Sequence, residues 1–360
     1  MLILLFTIIT SFNPVNAQAE ENSGLYQINN LAFVHQGSTD KFPVVVIDSG
    51  VDYTHPDLAP LMYRNQTISK IEVNNQFIEN DIFGWDFNEG DAFSYDNVHS
   101  YTPEFVEVPN YDKGVDLQTN ILNIGRSLFK NTFEIIKASI PMGAPGHGTH
   151  VSGIVVEHCN TCAVVPLKIF GKEDLSIGSL SAAIEYTHLR GYKLVNMSLG
   201  IDTKYIKDGS DQEKFLKNVI EKMKKYKDIL FVVAAGNDGS FLSEANSKFY
   251  PAMLKLPNLI TVGAVDDNGK LASFSNYDPY FVDLYAPGVE INSTWIDGDY
   301  KNLSGTSMSA PMVTGIVGSL WNLNQGMTAT QIKELFMSQV PLGAITYKNL
   351  QEVSVFILKK

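Results

Sequence analysis

The stretch Leu303-Ser304-Gly305-Thr306-Ser307-Met308-Ser309-Ala310-Pro311 runs directly into an apolar segment with the residue spacing of a helix. This pattern predicts a tight loop that feeds a helix N-terminus, where free backbone N–H groups and the positive end of the helix dipole lie together. A serine hydroxyl placed there lies close to the position where an oxyanion would form. The same pattern is also typical of a serine-rich N-cap, so on its own it does not separate catalysis from capping.

The composition of the chain is that of an ordinary globular protein. It has 360 residues, of which 44% are apolar and 18% are charged. Acidic residues outnumber basic residues by 39 to 27, which gives a formal net charge of −12. This charge argues against nucleic acid or an anionic membrane as the main partner. The sequence has no internal repeat and no convincing linker, so we expect one domain and a monomer.

The N-terminus begins with an apolar run, Met1–Thr10, which is too short to span a membrane. Small residues follow at Ala17 and Ala19, and we therefore interpret residues 1–19 as a secretory signal peptide. A buried first strand is the alternative. No later run is long and apolar enough to span a membrane, so we expect a secreted or periplasmic protein without stable membrane insertion.

The two cysteines, Cys159 and Cys162, stand close together in the sequence His-Cys-Asn-Thr-Cys. In an exported protein the expected state of such a pair is a small-loop disulfide. Free thiols are one alternative, and metal or redox chemistry is another. The metal alternative has weak support, because a lone Cys-x-x-Cys pair lacks the second pair of ligands that zinc requires.

The apolar patterns predict an α/β fold. Residues 43–47 form a continuous apolar run that ends at Asp48, which is typical of a central strand in a parallel sheet. Strands and helices then alternate beyond residue 145, which implies right-handed crossovers and a largely parallel sheet. The predicted strands are 162–170, 194–199, 229–234, 259–265 and 281–286, and the predicted helices are 177–191, 213–227 and 328–339.

Three segments before residue 146 differ from one another in composition and in predicted structure. Residues 20–42 form a polar lead-in. Residues 52–97, which are rich in aspartate, are interpreted as surface loops with a short strand at 83–87. Within residues 98–145, the helical spacing of apolar residues over 116–140 predicts a helix that packs on the rest of the protein.

Four polar residues stand on glycine-containing turns beside predicted strands or helices. Asp48 follows the first strand, His147 opens a helix in the sequence Gly-His-Gly-Thr-His, Asn237 follows Ala-Ala-Gly, and Ser307 lies in the stretch quoted first. Because sites in open α/β sheets lie outside the carboxyl ends of the strands, we expect these side chains to meet. A carboxylate, a base, an amide donor and a hydroxyl nucleophile are the groups that acyl transfer requires.

Each of these residues also has a simpler interpretation. Aspartate is frequent in turns, which is the alternative for Asp48. His147 and His150, one helical turn apart, are the alternative start of a metal site, but the neighbouring sequence supplies no acidic third ligand. We therefore favour His147 as a general base and expect His150 to be packed or hydrogen-bonded.

Taken together, the motifs resemble those of the subtilisin-type serine peptidases. The matching segments, in the family's order of Asp, His and Ser, are Val-Val-Ile-Asp48-Ser-Gly, His147-Gly-Thr-His, Asn-Met-Ser198-Leu-Gly, Ala-Ala-Gly-Asn237 and Ser-Gly-Thr-Ser307-Met-Ser-Ala-Pro. The resemblance covers roughly residues 43–345. It implies a subtilisin-like three-layer α/β fold, with a central, mostly parallel sheet flanked by helices, and a peptidase domain over residues 43–360.

The resemblance also implies a role for each matching position. Ser307 resembles the nucleophile, His147 the general base and acid, and Asp48 the residue that orients it. Asn237 resembles the oxyanion donor. The remaining matches concern substrate binding: Ser198, Leu199 and Gly200 resemble the edge that pairs with the substrate backbone, and Ala234, Ala235 and Gly236 resemble a wall of the pocket for the residue before the cut.

Phe249 stands near the expected end of that pocket. If its ring points inward, the pocket is shallow and favours small residues. Tyr250-Pro251 matches a place where the family commonly has a cis peptide bond. Ile201 replaces a glycine that usually continues the substrate-binding edge, which implies narrower access there.

Other departures from the family concern metal and loops. The interval after His147 is too short for the family's calcium-binding loop, so Asp57 lacks its usual partners. We therefore expect no cofactor, with calcium as a doubtful alternative. Residues 98–145 resemble an insertion ahead of the base, either a cover for the cleft or a packed surface helix. His99 within it lacks the motif of a base and is rejected. The lead-in is too short to resemble the family's propeptide.

The sequence therefore predicts a secreted serine endopeptidase that hydrolyses polypeptides through an acyl-enzyme on Ser307. A catalytically silent, secreted peptide-binding relative of the same fold is the alternative. A thiol or metal protein built on Cys159 and Cys162 is a third interpretation.

Overall fold

The computed structural model describes residues 38–96, 145–170, 177–346 and 352–358, without positions 67–68, 75, 80, 93 and 247. The strands in these ranges are β1 (Phe42–Asp48), β2 (Ile71–Val73), β3 (Gln76–Ile78), β4 (Trp85–Asp86), β5 (Cys162–Lys168), β6 (Leu194–Met197), β7 (Ile201–Asp202), β8 (Leu230–Ala234), β9 (Phe249–Tyr250), β10 (Leu259–Val265), β11 (Leu284–Pro287), β12 (Ile291–Thr294), β13 (Tyr300–Leu303), β14 (Leu342–Thr346) and β15 (Glu352–Phe356). The helices are α1 (His147–Glu157), α2 (Ile177–Leu189), α3 (Asp211–Lys225), α4 (Thr306–Leu323) and α5 (Ala329–Gln339).

A parallel sheet forms the centre of the described structure. Its seven strands follow the order β11-β10-β8-β6-β1-β5-β4, and every neighbouring pair is parallel. Strands β5, β8 and β10 are buried along their whole length, which explains their unbroken apolar sequences. The carboxyl ends of β1, β6 and β8, which are neighbours in the sheet, therefore meet at one edge.

Strand β1 contributes to two hydrophobic cores because its side chains alternate between the faces of the sheet. Val44 and Val46 pack in a core with apolar residues of α1, α4 and α5. Val45 and Ile47 pack in a second core with residues of α2 and α3. The molecule therefore has three layers, with helices on both faces of the sheet, as the subtilisin-like resemblance implied.

Helices α3 and α5 begin where their sequences place a capping residue. Ser210 accepts a hydrogen bond from the backbone N–H of Glu213 at the start of α3. Thr328 and Gln331 form a reciprocal capping box at the start of α5, the helix predicted over 328–339.

The predicted strands and helices within the described residues are confirmed, with boundaries that differ by a few residues. Helix α3 begins two residues before its predicted start, and β11 begins at Leu284 rather than at 281. Within residues 52–97, the short strand predicted at 83–87 is present as β4 (Trp85–Asp86). The interpretation of the rest of the segment as surface loops is wrong, because it also forms the β2–β3 hairpin and several of its aspartates are buried: Asp52, Asp81, Asp86 and Asp96.

Burial of these aspartates is possible because each has hydrogen-bonding partners. Asp81, for example, accepts hydrogen bonds from Arg190 Nε and Nη2 at 2.9 and 2.7 Å. Lys168 and Asp86 form a second buried ion pair, at 3.0 Å. Hydrophobic periodicity alone does not reveal such pairs, because the partners are far apart in sequence.

Several predictions lie outside the described residues. They are the signal peptide at 1–19, most of the lead-in at 20–42, His99, and the inserted segment at 98–145 up to residue 144. Among the helices that are described, none combines the length and the apolar composition needed to cross a membrane.

Candidate active site

Two helices bring the predicted base and nucleophile to the edge of the sheet where Asp48 ends β1. Helices α1 and α4 pack against each other in the layer that covers Val44 and Val46. His147 is the first residue of α1, and Ser307 is the second residue of α4. Ser198 follows β6 and Asn237 follows β8, so both reach the same edge.

Asp48 and His147 form a buried, hydrogen-bonded pair. His147 Nδ1 donates to Asp48 Oδ1 at 2.7 Å, and the two residues are 6% and 1% exposed, respectively. The backbone N–H of Ser49 donates to the same carboxylate oxygen at 2.8 Å. These bonds fix the orientation and tautomer of the imidazole, leaving Nε2 as the nitrogen that can accept a proton.

The environment of His147 favours its protonated form. Burial lowers the pKa of His147, but the charge and hydrogen bond of Asp48, with the charge of Asp96, outweigh burial and raise the pKa above 6.5. A carboxylate that stabilises imidazolium in this way is what a general base needs when it takes a proton during a reaction.

Ser307 and Ser198 hold each other through two reciprocal hydrogen bonds. Ser307 Oγ donates to the Ser198 carbonyl at 3.2 Å, and Ser198 Oγ donates to the Ser307 carbonyl at 2.8 Å. Within the described part of the chain, no hydrogen bond joins Ser307 to His147. The serine hydroxyl is thus directed at the Ser198 carbonyl rather than at the imidazole.

Pro311 explains why Ser198 is needed at this place. Proline has no N–H, so the carbonyl four residues earlier in the helix, that of Ser307, loses its helical donor. The Ser198 hydroxyl supplies the missing donor. Ser198 in turn accepts from Asn196 Nδ2 at 3.0 Å, and Asn196 Oδ1 accepts from Thr314 of α4 at 2.9 Å. Strand β6 is therefore bonded to the first turns of α4.

Asn237 has its amide fixed in one orientation. Its Oδ1 accepts hydrogen bonds from the backbone N–H and the hydroxyl of Thr306, both at 2.9 Å. The amide nitrogen is consequently free to donate away from Thr306, and the residue is exposed at the surface of the site. The N–H of Ser307, in the first turn of α4, has no intrahelical acceptor. These two donors are of the kind that an oxyanion requires.

The other serines of the opening stretch have different partners. Ser304 Oγ accepts from the backbone N–H of Glu290 at 2.8 Å. Ser309 Oγ donates to the carbonyl oxygens of Ala286 and Pro287 at 3.0 and 3.1 Å. Ser307 is thus the serine of this stretch whose hydroxyl lies beside Ser198.

His150 is buried and hydrogen-bonded, as expected from the sequence. Its Nε2 lies 3.1 and 2.8 Å from the carbonyl oxygens of Ile291 and Lys301, which links α1 to the β12–β13 hairpin. Burial lowers the pKa of His150 to about 4, so the ring is neutral at ordinary pH. In the described chain, no group of three His, Cys, Asp or Glu residues is arranged to hold a metal ion.

Phe249 occupies the space between the two predicted substrate-binding segments. A Cβ atom added to Gly200 would lie 2.0 Å from Cζ at the tip of the Phe249 ring, and one added to Gly236 would lie 2.8 Å from Cε1 of the same ring. Both positions must therefore be glycine, and Gly236 also has a φ of +100°. The ring points inward between these segments, and strand β9 is held there by pairing with Ile201–Asp202.

The remaining predicted substrate-binding residues face the core. Leu199, Ala234 and Ala235 are buried, and each belongs to one of the hydrophobic clusters. Only their backbone atoms could meet a substrate, which agrees with a backbone-pairing role for the Ser198–Gly200 segment. The peptide bond between Tyr250 and Pro251 is cis, as the resemblance implied.

The cysteine pair is oxidised in the structure. Cys159 and Cys162 form a disulfide with a Cα–Cα distance of 5.3 Å, and both residues are buried beyond the C-terminal end of α1. The expected disulfide is thus present in the structure, and it lies at the end of α1 opposite His147.

Sequence reasoning assigned no role to Ser49, Asp96 and Thr149, which surround the Asp48–His147 pair. Asp96 accepts hydrogen bonds from both of the other two. Their contacts join segments that are distant in sequence, so the hydrophobic pattern gives no signal of them.

Comparison with known proteins agrees with this geometry. The model of the subtilase family matches residues 39–354. The thermophilic serine proteinase of Bacillus sp. (strain AK1) is 30% identical over 314 residues, which cover 84% of this chain and 56% of that protein. Subtilisin DY of Bacillus licheniformis is 30% identical over 243 residues, covering 63% of this chain and 84% of that protein.

Two further similarities are more distant in sequence. Alkaline serine exoprotease A of Vibrio alginolyticus is 28% identical over 344 residues, or 90% of this chain and 59% of that protein. The chain thus spans just over half the length of two of these three relatives. A cold adapted subtilisin-like serine proteinase of known structure has the same fold, with a TM-score of 0.59, 22% identity and 90% coverage of each chain. The extent of the family match places this chain in the subtilase family of serine peptidases.

Proposed function

We propose that the chain is an exported serine endopeptidase in which Ser307 is the nucleophile. The observation that carries this proposal is the buried 2.7 Å bond between His147 and Asp48, beside the helix N-terminus that bears Ser307. A serine hydroxyl is a poor nucleophile unless a base removes its proton, and this pair has the properties of that base. Membership of the subtilase family supports the same role.

The proposed reaction has two halves. Ser307 Oγ attacks the scissile carbonyl carbon while its proton passes to His147 Nε2, and a tetrahedral oxyanion forms between Asn237 Nδ2 and the N–H of Ser307. The C–N bond then breaks, and His147 returns the proton to the leaving amine, which leaves an ester on Ser307. In the second half, His147 takes a proton from water as the water oxygen attacks the ester carbon. The C–O bond to Ser307 then breaks, His147 returns the proton to Ser307 Oγ, and the carboxylic acid is released.

We propose that the substrate residue before the cut is small. The Phe249 ring fills the space between Gly200 and Gly236, so a large side chain would have to displace it. Protein interiors are close-packed, and such a displacement has a substantial cost in free energy. Glycine, alanine or serine before the scissile bond needs no displacement.

Export is proposed on two grounds. The N-terminal run at residues 1–19 has the pattern of a secretory signal, and the Cys159–Cys162 disulfide is typical of oxidising compartments. Mature protein recovered from the periplasm or medium with its N-terminus near residue 20 would support export. Full-length protein confined to the cytoplasm would contradict it.

The silent peptide-binding relative has one observation in its favour, since the Ser307 hydroxyl is bonded to Ser198 rather than to His147. Catalytic hydrogen bonds are often formed only when substrate is bound, so an enzyme without substrate can have this geometry. The two functions differ in turnover. The silent relative would bind peptides with a measurable Kd and leave them intact.

The test is cleavage of a denatured protein mixture by purified wild-type chain and by Ser307→Ala. The proposal predicts internal cleavage after small residues by the wild type, and none above background by Ser307→Ala. Ser304→Ala is the matched control, because Ser304 bonds to Glu290 outside the proposed machinery, and it should retain activity. Equal cleavage by wild type and Ser307→Ala would overturn the proposal.

A further inference from the structure

A second buried carboxylate lies beside the Asp48–His147 pair. Asp96 is 1% exposed, and it accepts hydrogen bonds from the segments that carry both members of the pair. Its Oδ1 accepts from Ser49 Oγ at 2.9 Å, and its Oδ2 accepts from the N–H and hydroxyl of Thr149 at 3.0 and 2.6 Å. Ser49 is adjacent to Asp48, and Thr149 lies two residues after His147.

The donors to Asp96 also bond across the same two segments. Ser49 Oγ accepts from the backbone N–H of Gly148 at 2.9 Å, and Thr149 Oγ1 accepts from the N–H of Asp52 at 2.9 Å. Each hydroxyl therefore donates a hydrogen bond to Asp96 and accepts one from a backbone N–H of the opposite segment. This arrangement fixes the loop after β1 against the first turn of α1.

The charge of Asp96 acts on His147 as well. Burial raises the pKa of Asp96 to about 6, against the lowering effect of its hydrogen bonds, of which that from the Thr149 hydroxyl is the largest. The carboxylate is consequently ionised above that pH. Its negative charge is one of the causes that raise the pKa of His147. An interaction between charges in a buried, weakly polarisable site is stronger than in water.

We infer that Asp96 is a positioning residue for the hydrolysis proposed above: it holds His147 in line with Asp48, and its charge stabilises the imidazolium that forms during the reaction. Asp96 is not a catalytic residue, because its hydrogen bonds are to Ser49 and Thr149 and it touches no reacting atom. The inference rests on the proposed function for its kinetic consequences, but its effect on His147 does not require turnover.

Other ionisable groups surround this network. They are Asp48 at the end of β1, Asp52 on the loop after it, His150 on α1, Tyr95 next to Asp96, and Lys301 on β13. His150 is neutral near pH 7 because burial lowers its pKa to about 4, and burial raises the pKa of Tyr95 far above neutrality. Neither of these two groups changes charge where His147 titrates.

The direct test is an NMR pH titration of His147 in Ser307→Ala protein with and without Asp96→Asn. The signal of His147 is identified among those of the seven histidines as the one that is missing from the spectrum of a His147→Gln variant. We expect Asp96→Asn to lower the pKa of His147 by about half a unit, because a neighbouring negative charge is lost. Glu221→Gln, which removes an exposed charge from α3 on the other face of the sheet, should leave it unchanged. An unchanged His147 pKa in Asp96→Asn would overturn the inference even if the chain never cleaves a substrate.

Kinetics give a second, separate readout. In the active chain, Asp96→Asn should lower kcat about tenfold with little change in KM, since preorganised charge acts mainly on the transition state. The acidic limb of kcat/KM should move to lower pH, because that limb follows the pKa of the base in the free enzyme. If Asp96→Asn has the kcat of the wild type, and the acidic limb of its kcat/KM profile lies at the wild-type pH, the inference is overturned.

If circular dichroism shows that Asp96→Asn does not fold, Thr149 provides the alternative test. Thr149→Val removes the 2.6 Å hydroxyl bond to Asp96 and should lower kcat, whereas Thr149→Ser keeps the hydroxyl and should restore it. Equal kcat values for wild type and Thr149→Val would contradict the positioning role.

Discussion

At the scale of single residues, the amide of Asn237 is the group whose removal should affect turnover more than it affects the fold. Its Oδ1 is bonded to Thr306, and its nitrogen is left to donate. We expect Asn237→Ala to lower kcat by about 10²–10³-fold with little change in KM, a magnitude known from subtilisin itself. Steady-state kinetics on a peptide substrate measure it.

Thr306→Val is the control for this prediction. It removes the hydroxyl that orients Asn237 but keeps the amide, so we expect a smaller loss of kcat, about tenfold, because the donor is less well fixed. A kcat for Asn237→Ala within about twofold of the wild type would show that the oxyanion has another set of donors.

Phe249 should decide which side chains the site accepts. Phe249→Ala removes the ring from between Gly200 and Gly236 and opens a pocket there. We expect kcat/KM for a peptide with phenylalanine before the cut to rise by at least about tenfold, with less than about threefold change for alanine. Phe241→Ala truncates another aromatic ring of the same cluster and should leave this ratio unchanged. An unaltered ratio in Phe249→Ala would contradict the assignment.

At the scale of elements, local sequence signals predicted those elements that are long or capped. Strand β1 and helix α4 have strong apolar patterns, and α5, predicted over 328–339, begins with a capping box of Thr328 and Gln331. The β2–β3 and β12–β13 hairpins were not predicted. Each strand in them has three or four residues, which is too short for a periodic pattern to stand out.

The capping box of α5 makes a prediction about stability. Thr328→Ala should lower the free energy of unfolding by about 1 kcal/mol, because the N–H of Gln331 loses its acceptor. For a chain of this size the melting temperature should fall by about 2 °C. Calorimetry in a Ser307→Ala background, which prevents self-digestion, measures the change.

Thr330→Ala is the matched control, since it makes the same substitution inside α5 without removing a cap. Its melting temperature should equal or slightly exceed that of the parent, because alanine favours the helix. Equal melting temperatures for Thr328→Ala and the parent would contradict a stabilising role of the capping box.

At the scale of the whole molecule, the motif order predicted the fold and the meeting of the proposed site residues. Asp48, His147, Asn237 and Ser307 lie far apart in sequence, and the ends of strands β1 and β8 and the starts of helices α1 and α4 bring them to one edge of the sheet. The contacts of Asp96 and the direction of the Phe249 ring could not be predicted. Both depend on packing between distant segments, which no local pattern encodes.

We also expect the folded chain to be independent of calcium. Asp57, which was expected to lack the partners of a calcium site, accepts a hydrogen bond from the hydroxyl of Tyr300, and no group of three His, Cys, Asp or Glu residues in the described chain is arranged to hold a metal ion. The melting temperature in millimolar EDTA should therefore equal that in millimolar calcium chloride. A rise of more than about 5 °C with calcium would reveal a stabilising site, because a ligand that binds the native state raises its stability. Asp57→Asn would then show whether this residue is part of it.

The central claim is that Ser307 is a nucleophile activated by the His147–Asp48 pair. The most direct measurement is intact-mass analysis after treatment with a fluorophosphonate, which reacts with activated serines. We predict one adduct on the wild type, located on Ser307 by peptide mapping, the same adduct on Ser304→Ala, and none on Ser307→Ala or His147→Ala. A folded wild-type chain that gains no adduct, or that gains it on another residue, would contradict the account.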